Sequence, residues 1–507
     1  MILFSVLQKA GCIDHLVGEW DSKMAFVVQT DSRKIKPREE DHPENAGENR
    51  ELFFVPLKGE KFDGHQFIPT FLASKHRYFA VELGQAAQIK AWQKSYPDLK
   101  AVVVTDTLKF LQEIAALRVR DWRKKNPAGK IMGITGSNGK TTHKEMLAFL
   151  LEGILPGQIH FSCGNLNNHI GVPLTLLGLE DTHQIVLVEM GINHPGEMNP
   201  LCQMADPECA LITNIGATHL EFMGSEAGVW QEKSQLFRYV IRRAEQKPNH
   251  NAFLLMGGEK KWMASLPPAG IRQIVVQEVV PSEREATGGL SSSAPDQKTL
   301  PESDYVLQVR GHGGQLTAPP KTWFWQNKNI AGHHNQANLG RALLAASLLV
   351  GDEHQNALEQ RAAAFKATYN RSSWLKIADK SFYLDAYNAN PSSMQTALKS
   401  FVQQMQEEGV KFAQCCVVLG DMNELGAAAG QFHEQIGHLL HQLGVKNVIL
   451  VGRYAQHYAQ GFGGSAQIFA RREDLLKQWP KLWPQYAYFF IKASRSLQLE
   501  ELTDITS

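Results

Sequence analysis

The 507-residue sequence predicts an α/β protein in three domains: a small α/β domain, a central domain on a mostly parallel sheet with a P-loop-type turn, and a Rossmann-like α/β domain at the carboxyl end. Three observations carry this. The length exceeds what one hydrophobic core organises, at about 150 residues per domain. From Lys130 onward, apolar runs of strand length ("IMGIT", "QIVLVEMG", "CALITNIG") alternate with helical stretches. Continuous apolar strands of this kind belong to parallel sheets covered on both faces. The same alternation restarts at "SFYLDAYN" and runs on toward the end, a second α/β unit.

Taken in order, residues 1–127 mix short strands ("MAFVVQ", "LFFVPL", "RYFAVE", "AVVVTD") with helical stretches. They close on the charged segment "RDWRKKNPAGK", where Pro127 and Gly129 suit a linker. The central domain, 128–366, opens with strand, turn and helix. In "HKEMLAFLLEG", Met146, Leu147, Phe149, Leu150 and Leu151 recur at helical spacing before Gly153. Residues 286–304, "ATGGLSSSAPDQKTLPESD", are polar, aperiodic and proline-containing, the composition of a flexible surface insertion. Helices at about Asn335 to Val350 and Ala357 to Phe365 close this domain. In 367–507, Pro391 fits a helix opening, and Met394, Leu398, Phe401 and Met405 form its apolar stripe. The strands "QCCVVLGDM", "NVILVG" and "YAYFFIKAS" and the helix "EQIGHLLHQLG" complete the alternation.

Composition removes several classes of function. Lys plus Arg number 52 against 51 Asp plus Glu, so no polyphosphate backbone is expected as the main partner and anions are met locally. The six cysteines, Cys12, Cys163, Cys202, Cys209, Cys415 and Cys416, have neither zinc spacing nor the density of a small secreted scaffold, which points to reduced thiols and a cytoplasmic setting. The opening "MILFSVLQKAG" lacks a basic leader and a small-residue cleavage site. No run of about 18 apolar residues occurs, so no membrane span is expected.

The chemistry concentrates in "GITGSNGKTT", Gly133 to Thr142. Glycines let successive backbone amides turn onto a phosphate, with the positive end of a helix behind them. Gly136, Ser137, Asn138 and Gly139 supply the turn, Lys140 a movable charge and Thr141 a hydroxyl for Mg²⁺, with Thr142 beside it on the ATP side. The common G-x-x-x-x-G-K-[ST] spacing fails, because Ile134 stands five before Gly139. An ordinary strand-to-helix turn is the alternative, but it explains Lys-Thr-Thr at a helix start poorly. In open parallel sheets, ligands sit beyond the carboxyl ends of strands. Two more strands end in suitable groups, Glu189 in "VLVEMGINHPGEM" and His219 in "NIGATHLE". Either alone is as well a strand-end carboxylate or a loop histidine; their common placement makes them candidate metal ligands on one rim. Magnesium takes oxygen ligands, which suits Thr141 and Glu189, whereas His219 fits a second divalent ion or an anion.

With these segments and "GHHNQANLGRALLAA", the sequence resembles the Mur ligases, ATP-dependent amide-forming enzymes that build the peptide of the bacterial cell-wall precursor. The resemblance covers all three predicted domains. The stretches "GNLNNHIGVPLTLL", "DAYNANPSSM", "LGDMNELG" and "KASRSL" resemble the member that joins D-Ala-D-Ala to UDP-MurNAc-tripeptide through an acyl phosphate, and the D-N-P-R signature of the diaminopimelate-adding relative is absent.

The resemblance implies roles by position. Lys140 and the loop amides would hold the phosphates of ATP, Thr141 and Glu189 would bind Mg²⁺, and His219 would serve a second ion. Lys233, in "GVWQEKSQLF", stands where the family carries a lysine carbamylated by CO₂, a further metal ligand. Asn335 and Asn338, three apart on one helix face, suit a base edge. Arg371 and Asp385 fall at family positions near the ATP phosphates and ribose; Lys140, Lys233, His219 and Arg371 form the catalytic set. Asn165, Asn167, Asn168, Asn388 and Asn390 would face the peptide substrates, although Asn390 equally fits a cap of the helix opening at Pro391. "TDSRKI" and "LFFVPLKGEKFDGHQFI" resemble a uridine-nucleotide domain, implying Asp31, Ser32, Arg33, Lys58, Gly59, Asp63, Gly64 and His65 as contacts. Two departures stand out: "KPREEDHPENAGENRE" lengthens the first domain, and residues 242–305 exceed the usual middle domain. A folyl-polyglutamate or cyanophycin type of ligase, and a P-loop kinase without ligase activity, are the competing readings. A monomer is expected.

Overall fold

The computed structural model describes residues 1–37, 50–59, 62–247, 251–278, 305–310, 313–318, 321–330, 332–366 and 373–504. The expected insertion at 286–304, most of the lengthened segment after "TDSRKI", and Arg371 lie outside them. The chain divides into two compact units, one of residues 1–133, 157–192 and 197–209, the other of 134–156, 193–196 and 210–507.

The first unit holds a six-stranded sheet in the order Ile2–Leu3, Ala25–Gln29, Arg50–Phe54, Tyr78–Glu82, Lys100–Val104, Ile13–Val17. Its four inner strands pair parallel and the two outer ones antiparallel. Consecutive strand side chains point to opposite faces, so Phe53 and Phe54, both fully buried, require cover on both sides. Phe53 packs against Phe26 and Phe110, and Phe54 stacks on Phe71. A short hairpin pairs Lys58–Gly59 with Phe62–Asp63. In the same unit Ile159–Phe161 lies parallel to Ile185–Glu189.

The charged segment "RDWRKKNPAGK" divides in two: "RDWRKK" forms the last turns of a helix, Thr107–Lys125, capped by Asp106, and the connection falls at Pro127 and Gly129. Arg118 and Trp122 are buried on this helix: the guanidinium donates to the Leu179 carbonyl and to Asp181, and the indole donates to the His183 carbonyl. Trp122 carries the buried face of the charged turns, while Lys124 is exposed and Lys125 pairs with Asp181. The connection spans Asn126–Gly129.

In the second unit, Cys209–Ile212, Phe253–Gly257, Arg272–Glu278, Tyr305–Arg310, Gly313–Ala318 and Lys321–Gln326 are neighbours in that order. From Phe253 to Arg310 the pairing is parallel; the last two strands turn antiparallel, an addition the short polar runs did not announce. A second sheet runs Ser373–Ile377, Lys380–Asp385, Tyr488–Lys492, Cys415–Gly420, Asn447–Val451, Ala466–Phe469, all parallel but for the first. Its strands alternate between two cores, with Cys415, Val417 and Leu419 on one side and Cys416 and Val418 on the other. The helix at Pro391 extends to Glu407 and buries Met394, Leu398, Phe401 and Met405, as its stripe predicts. The mixed α/β class holds.

Helices Ala429–Gln442 and Ala455–Phe462 touch through their backbones. A Cβ on Gly437 would stand 2.1 Å from the Tyr458 carbonyl oxygen, and one on Gly461 1.9 Å from that of Glu434. No flexible side chain is there to yield. Gly437→Ala should therefore cost about 1–3 kcal/mol of stability, read as a lower urea midpoint with an unchanged slope; an unaltered midpoint would show that the helices separate freely.

Candidate active site

The strand Lys130–Thr135 ends in the glycine turn, and the helix Lys140–Glu152 begins directly after it. Gly136 has φ +148°, and a Cβ there would fall 1.9 Å from Thr213 Oγ1, so only glycine fits. Thr213, at the end of the neighbouring strand, donates through Oγ1 to the Asn138 carbonyl at 2.5 Å. Asn214 takes the next two links: its carbonyl accepts from the Ser137 amide at 3.0 Å and its Oδ1 from the Asn138 amide at 2.9 Å. Ser137 Oγ donates to the Gly216 carbonyl and accepts from the Gly216 amide. These links come from the segment Thr213–Gly216 that follows the neighbouring strand, so the turn is built by its neighbours before any ligand arrives.

Gly139, with φ +76°, caps the helix. The first amides of a helix have no partner inside it and carry its positive end, an arrangement suited to an anion such as phosphate. Lys140 Nζ donates to the Gly136 carbonyl at 2.8 Å. Thr141 is buried beside it and Thr142 half-buried. His143, fully buried one turn on, donates Nδ1–H to the Gly139 carbonyl at 2.8 Å; burial, aided by the Arg341 guanidinium, pushes its pKa down to about 3, so it is a neutral structural group.

Lys233, on the helix Glu226–Gln246, is 1 % exposed. Burial first, then the nearby Lys140 charge, drives its pKa well below the usual lysine value, opposed by Glu232. Enclosure thus shifts Lys233 toward the neutral amine, as it does for any desolvated lysine. His219 sits at φ +52° and Glu424, in "LGDMNELG", at φ +62°; the two meet with Nδ1 to Oε2 at 2.5 Å. The imidazole holds the Glu424 carboxyl below the ordinary range. Left-handed backbone at two non-glycine residues is strain that surrounding structure must enforce. On Glu424's side the enforcers are His433, which accepts from the Met422 amide, and Ser494, which accepts from the Asn423 amide.

Asn335 and Asn338 do share a face of the helix His333–Val350; Asn338 Nδ2 donates to Asn335 Oδ1 at 3.3 Å and lies 3.5 Å from where a Cβ on Gly139 would be. Asn390 is the helix cap that the sequence allows, and it makes a second contact that the sequence does not announce. Its Oδ1 caps the helix by accepting from the Ser393 amide at 2.9 Å, and its Nδ2 donates to Asn138 Oδ1 of the phosphate turn at 2.7 Å. Asp385 is held by the buried Lys492, whose ammonium donates to Asp385 Oδ2 at 2.5 Å and to the Asn388 carbonyl at 2.9 Å. Asn388 itself is exposed, with Oδ1 turned back onto the Ala389 amide.

Within the first unit, Glu189 is 1 % exposed at its strand end, and its Oε1 accepts from Asn167 Nδ2 at 2.8 Å. Asn168 accepts from the amides of Ile170 and Gly171, opening the helix Gly171–Leu177, while Asn165 is exposed. Asp31 accepts from the amide and guanidinium of Arg33, and Ser32 lies in the same short turn. Lys58 and Gly59 form the hairpin strand opposite Asp63. His65 is buried in a relay: Nδ1–H donates to Asp63 at 2.6 Å and Nε2 accepts from the Glu82 amide at 3.1 Å. A Cβ on Gly64 would meet the Leu57 carbonyl at 2.8 Å. His65 and Gly64 therefore shape this loop from inside. Among the described residues no group of three or more His, Cys, Asp or Glu side chains converges as a metal cluster. Thr213, Asn214, Arg341, Glu424 and Lys492 were not singled out by sequence reasoning; the signals were the strand-end pair Thr213-Asn214 and, for the other three, their place in the stretches "GHHNQANLGRALLAA", "LGDMNELG" and "KASRSL".

Comparison with known proteins agrees with this architecture. The Mur ligase middle domain matches residues 134–346 and the Mur ligase glutamate ligase domain residues 370–493, which defines the class as a Mur-type ligase. Solved structures share the fold: MurF from Acinetobacter baumannii (TM-score 0.75, 24 % identity, covering 99 % of this chain and 97 % of that one) and MurF ligase from Thermotoga maritima in complex with ADP (TM-score 0.70, 20 % identity, 95 % and 96 %). The UDP-N-acetylmuramoyl-tripeptide–D-alanyl-D-alanine ligase of Escherichia coli is 30 % identical over 486 residues, 94 % of this chain and 92 % of that protein. The chain belongs to the family of UDP-N-acetylmuramoyl-tripeptide–D-alanyl-D-alanine ligases.

Two outcomes follow from the site's geometry. Gly136→Ala should abolish ATP binding in titration calorimetry while far-UV circular dichroism stays native; retained binding would mean that Thr213 gives way. The neutral burial of His143 and of His334, whose pKa burial lowers to about 4, sets a sign for pH dependence. Both folded values lie below the ordinary 6.5, so the unfolded chain binds more protons in between. Their contribution is full above about 6.5 and is lost as pH falls toward 3. Urea stability should drop across that window, and less steeply in His143→Gln.

Proposed function

We propose that this chain joins D-alanyl-D-alanine to UDP-MurNAc-tripeptide at the expense of ATP, yielding UDP-MurNAc-pentapeptide, ADP and phosphate for peptidoglycan synthesis in the cytoplasm. The observation that carries this reading is the preformed phosphate turn with Lys140 at its helix start and Asn390, from the segment that would face the dipeptide, bonded to it.

A carboxylate is a poor electrophile with no leaving group, so amide formation in water needs activation. The γ-phosphoryl group of ATP passes to the tripeptide's terminal carboxylate, giving an acyl phosphate and ADP. The dipeptide amine attacks the acyl carbon, and the tetrahedral intermediate collapses to the amide as inorganic phosphate leaves. Lys140 and the turn amides stabilise charge on the transferring group, the main protein contribution to phosphoryl transfer. To do so, Lys140 exchanges the Gly136 carbonyl for a phosphate oxygen. The helix terminus holds the remaining phosphate charge in place while the turn keeps the reacting groups aligned.

Taken residue by residue, Thr141 with its buried hydroxyl and Glu189, a buried carboxylate with one oxygen fixed by Asn167, are the oxygen donors that Mg²⁺ takes, and we assign both to that ion, which would neutralise phosphate charge. We assign Lys233, where burial disfavours the charged amine, to a CO₂-derived carbamate that would serve the second of two ions. We assign His219 to a second ion, Asn335 and Asn338 to the base, Arg371 and Asp385 to ATP phosphates and ribose, and Asn388 and Asn390 to the dipeptide. Asn165, Asn167 and Asn168 belong to the tripeptide side, and Asp31, Ser32, Arg33, Lys58, Gly59, Asp63, Gly64 and His65 to the uridine nucleotide. The working division is 1–127 for the nucleotide precursor, 128–366 for ATP and 367–507 for ligation, in a monomer. No described helix is long and apolar enough to cross a membrane.

Purified protein should release phosphate from ATP only with both UDP-MurNAc-tripeptide and D-Ala-D-Ala present, and the product mass should equal their sum minus water. Lys140→Ala should reduce turnover by at least about a thousandfold, the scale of losing a transition-state charge partner, with the fold intact. Phosphate release from ATP alone, or a stable phosphorylated product without dipeptide, would assign the chain to kinase-type chemistry instead.

A further inference from the structure

The helix His333–Val350 carries Asn335, Asn338 and Arg341 along one face, each three residues from the next. Arg341 is buried at the far end of this line. Its Nη2 donates to Glu278 Oε2 at 2.9 Å and its Nη1 donates to Asn338 Oδ1 at 3.3 Å. Glu278, closing the strand Arg272–Glu278, turns its other oxygen to His333 Nε2 at 2.6 Å. One carboxylate thus clamps both the first residue of the helix and the guanidinium two turns further on, so Arg341 has little freedom to leave Asn338.

An arginine has only donors, whereas a carboxamide has a donor end and an acceptor end. Whatever bonds to Arg341 must offer oxygen, so the Asn338 amide cannot flip without losing its partner. With Oδ1 pinned, Nδ2 faces the opposite way, toward Asn335 Oδ1 and the phosphate-turn glycine at 139. One Nδ2 hydrogen is spent on Asn335; the second is the group a ligand meets there.

We infer that Arg341, held by Glu278, is a positioning residue that fixes the Asn338 amide as a hydrogen-bond donor, so that the site recognises a purine base by an acceptor nitrogen of its ring. The inference rests on the reading that Asn335 and Asn338 face the base of ATP. Without Arg341 the amide is free to present either end, and the acceptor on the base loses its importance.

The experiment measures binding of nucleotides alone to the full chain by titration calorimetry, with ATP and three analogues in which the N1, N3 or N7 nitrogen of adenine is replaced by CH. For the unaltered chain, one of the three should bind about tenfold or more weakly than ATP, the scale of one unpaired buried donor. Arg341→Met should bind that analogue and ATP within about threefold of each other. Arg341→Lys, which keeps a donor, should restore most of the gap. Glu278→Leu, which frees the guanidinium, should narrow it as Arg341→Met does, and decides the matter if the methionine variant does not fold. A merely structural Arg341 would weaken all four nucleotides in parallel and leave the gap unchanged. That result, or three analogues binding the unaltered chain as well as ATP does, overturns the inference. Because no peptide substrate is present, a chain that binds ATP selectively yet makes no amide product would refute the proposed ligation and leave this inference standing.

Discussion

The second unit is organised around a missing side chain. At Gly136 the backbone turns so close to Thr213 that no Cβ fits, and this closeness lets Thr213 and Asn214 bond to the next residues of the turn. The consequence is pre-organisation. A loop that has to be ordered by its ligand spends binding free energy on its own entropy, about 1–2 kcal/mol per residue fixed. Here the strand ends carry that cost during folding. Asn138 shows how thoroughly: its amide, its carbonyl and its side-chain oxygen each have a named protein partner.

Burial then acts on the basic groups around the turn. Lys233 is shifted toward the neutral amine because it is enclosed and faces the Lys140 cation, while His143 stays neutral because its ring is enclosed beside Arg341. In the first unit, hydrogen bonds to Asp63 on one nitrogen and the Glu82 amide on the other orient the His65 ring. The two histidines that the sequence marks as candidate contacts thus differ: His65 holds a loop from inside, and His219 meets a carboxylate.

Much of this was legible in the sequence. Apolar runs located the strands, the stripe beginning at Pro391 located a helix to within a few residues, and the residues around Lys140 marked the strand–turn–helix that the structure shows. What stayed hidden shares one cause, dependence on distant partners. Nothing local to Arg118 and Trp122 reveals that they find carbonyls some sixty residues on. Lys492 looks like a strand-end surface lysine until Asp385 and Asn388 are brought to it. Arg341 sits on a helix where spacing gives its face but not its partner, Glu278, far earlier in the chain. Periodicity records which side of an element is buried; it does not record what lies across from it.

The opposed left-handed residues His219 and Glu424 carry a further consequence for anyone altering this protein. Each sits in a backbone conformation that glycine adopts without penalty, so glycine at either position relaxes the fold while deleting one half of the imidazole–carboxylate contact. A melting temperature raised by such a replacement would report relief of backbone strain and not the worth of the contact, so the two are separated only by a change that keeps a Cβ, such as alanine, at the same position.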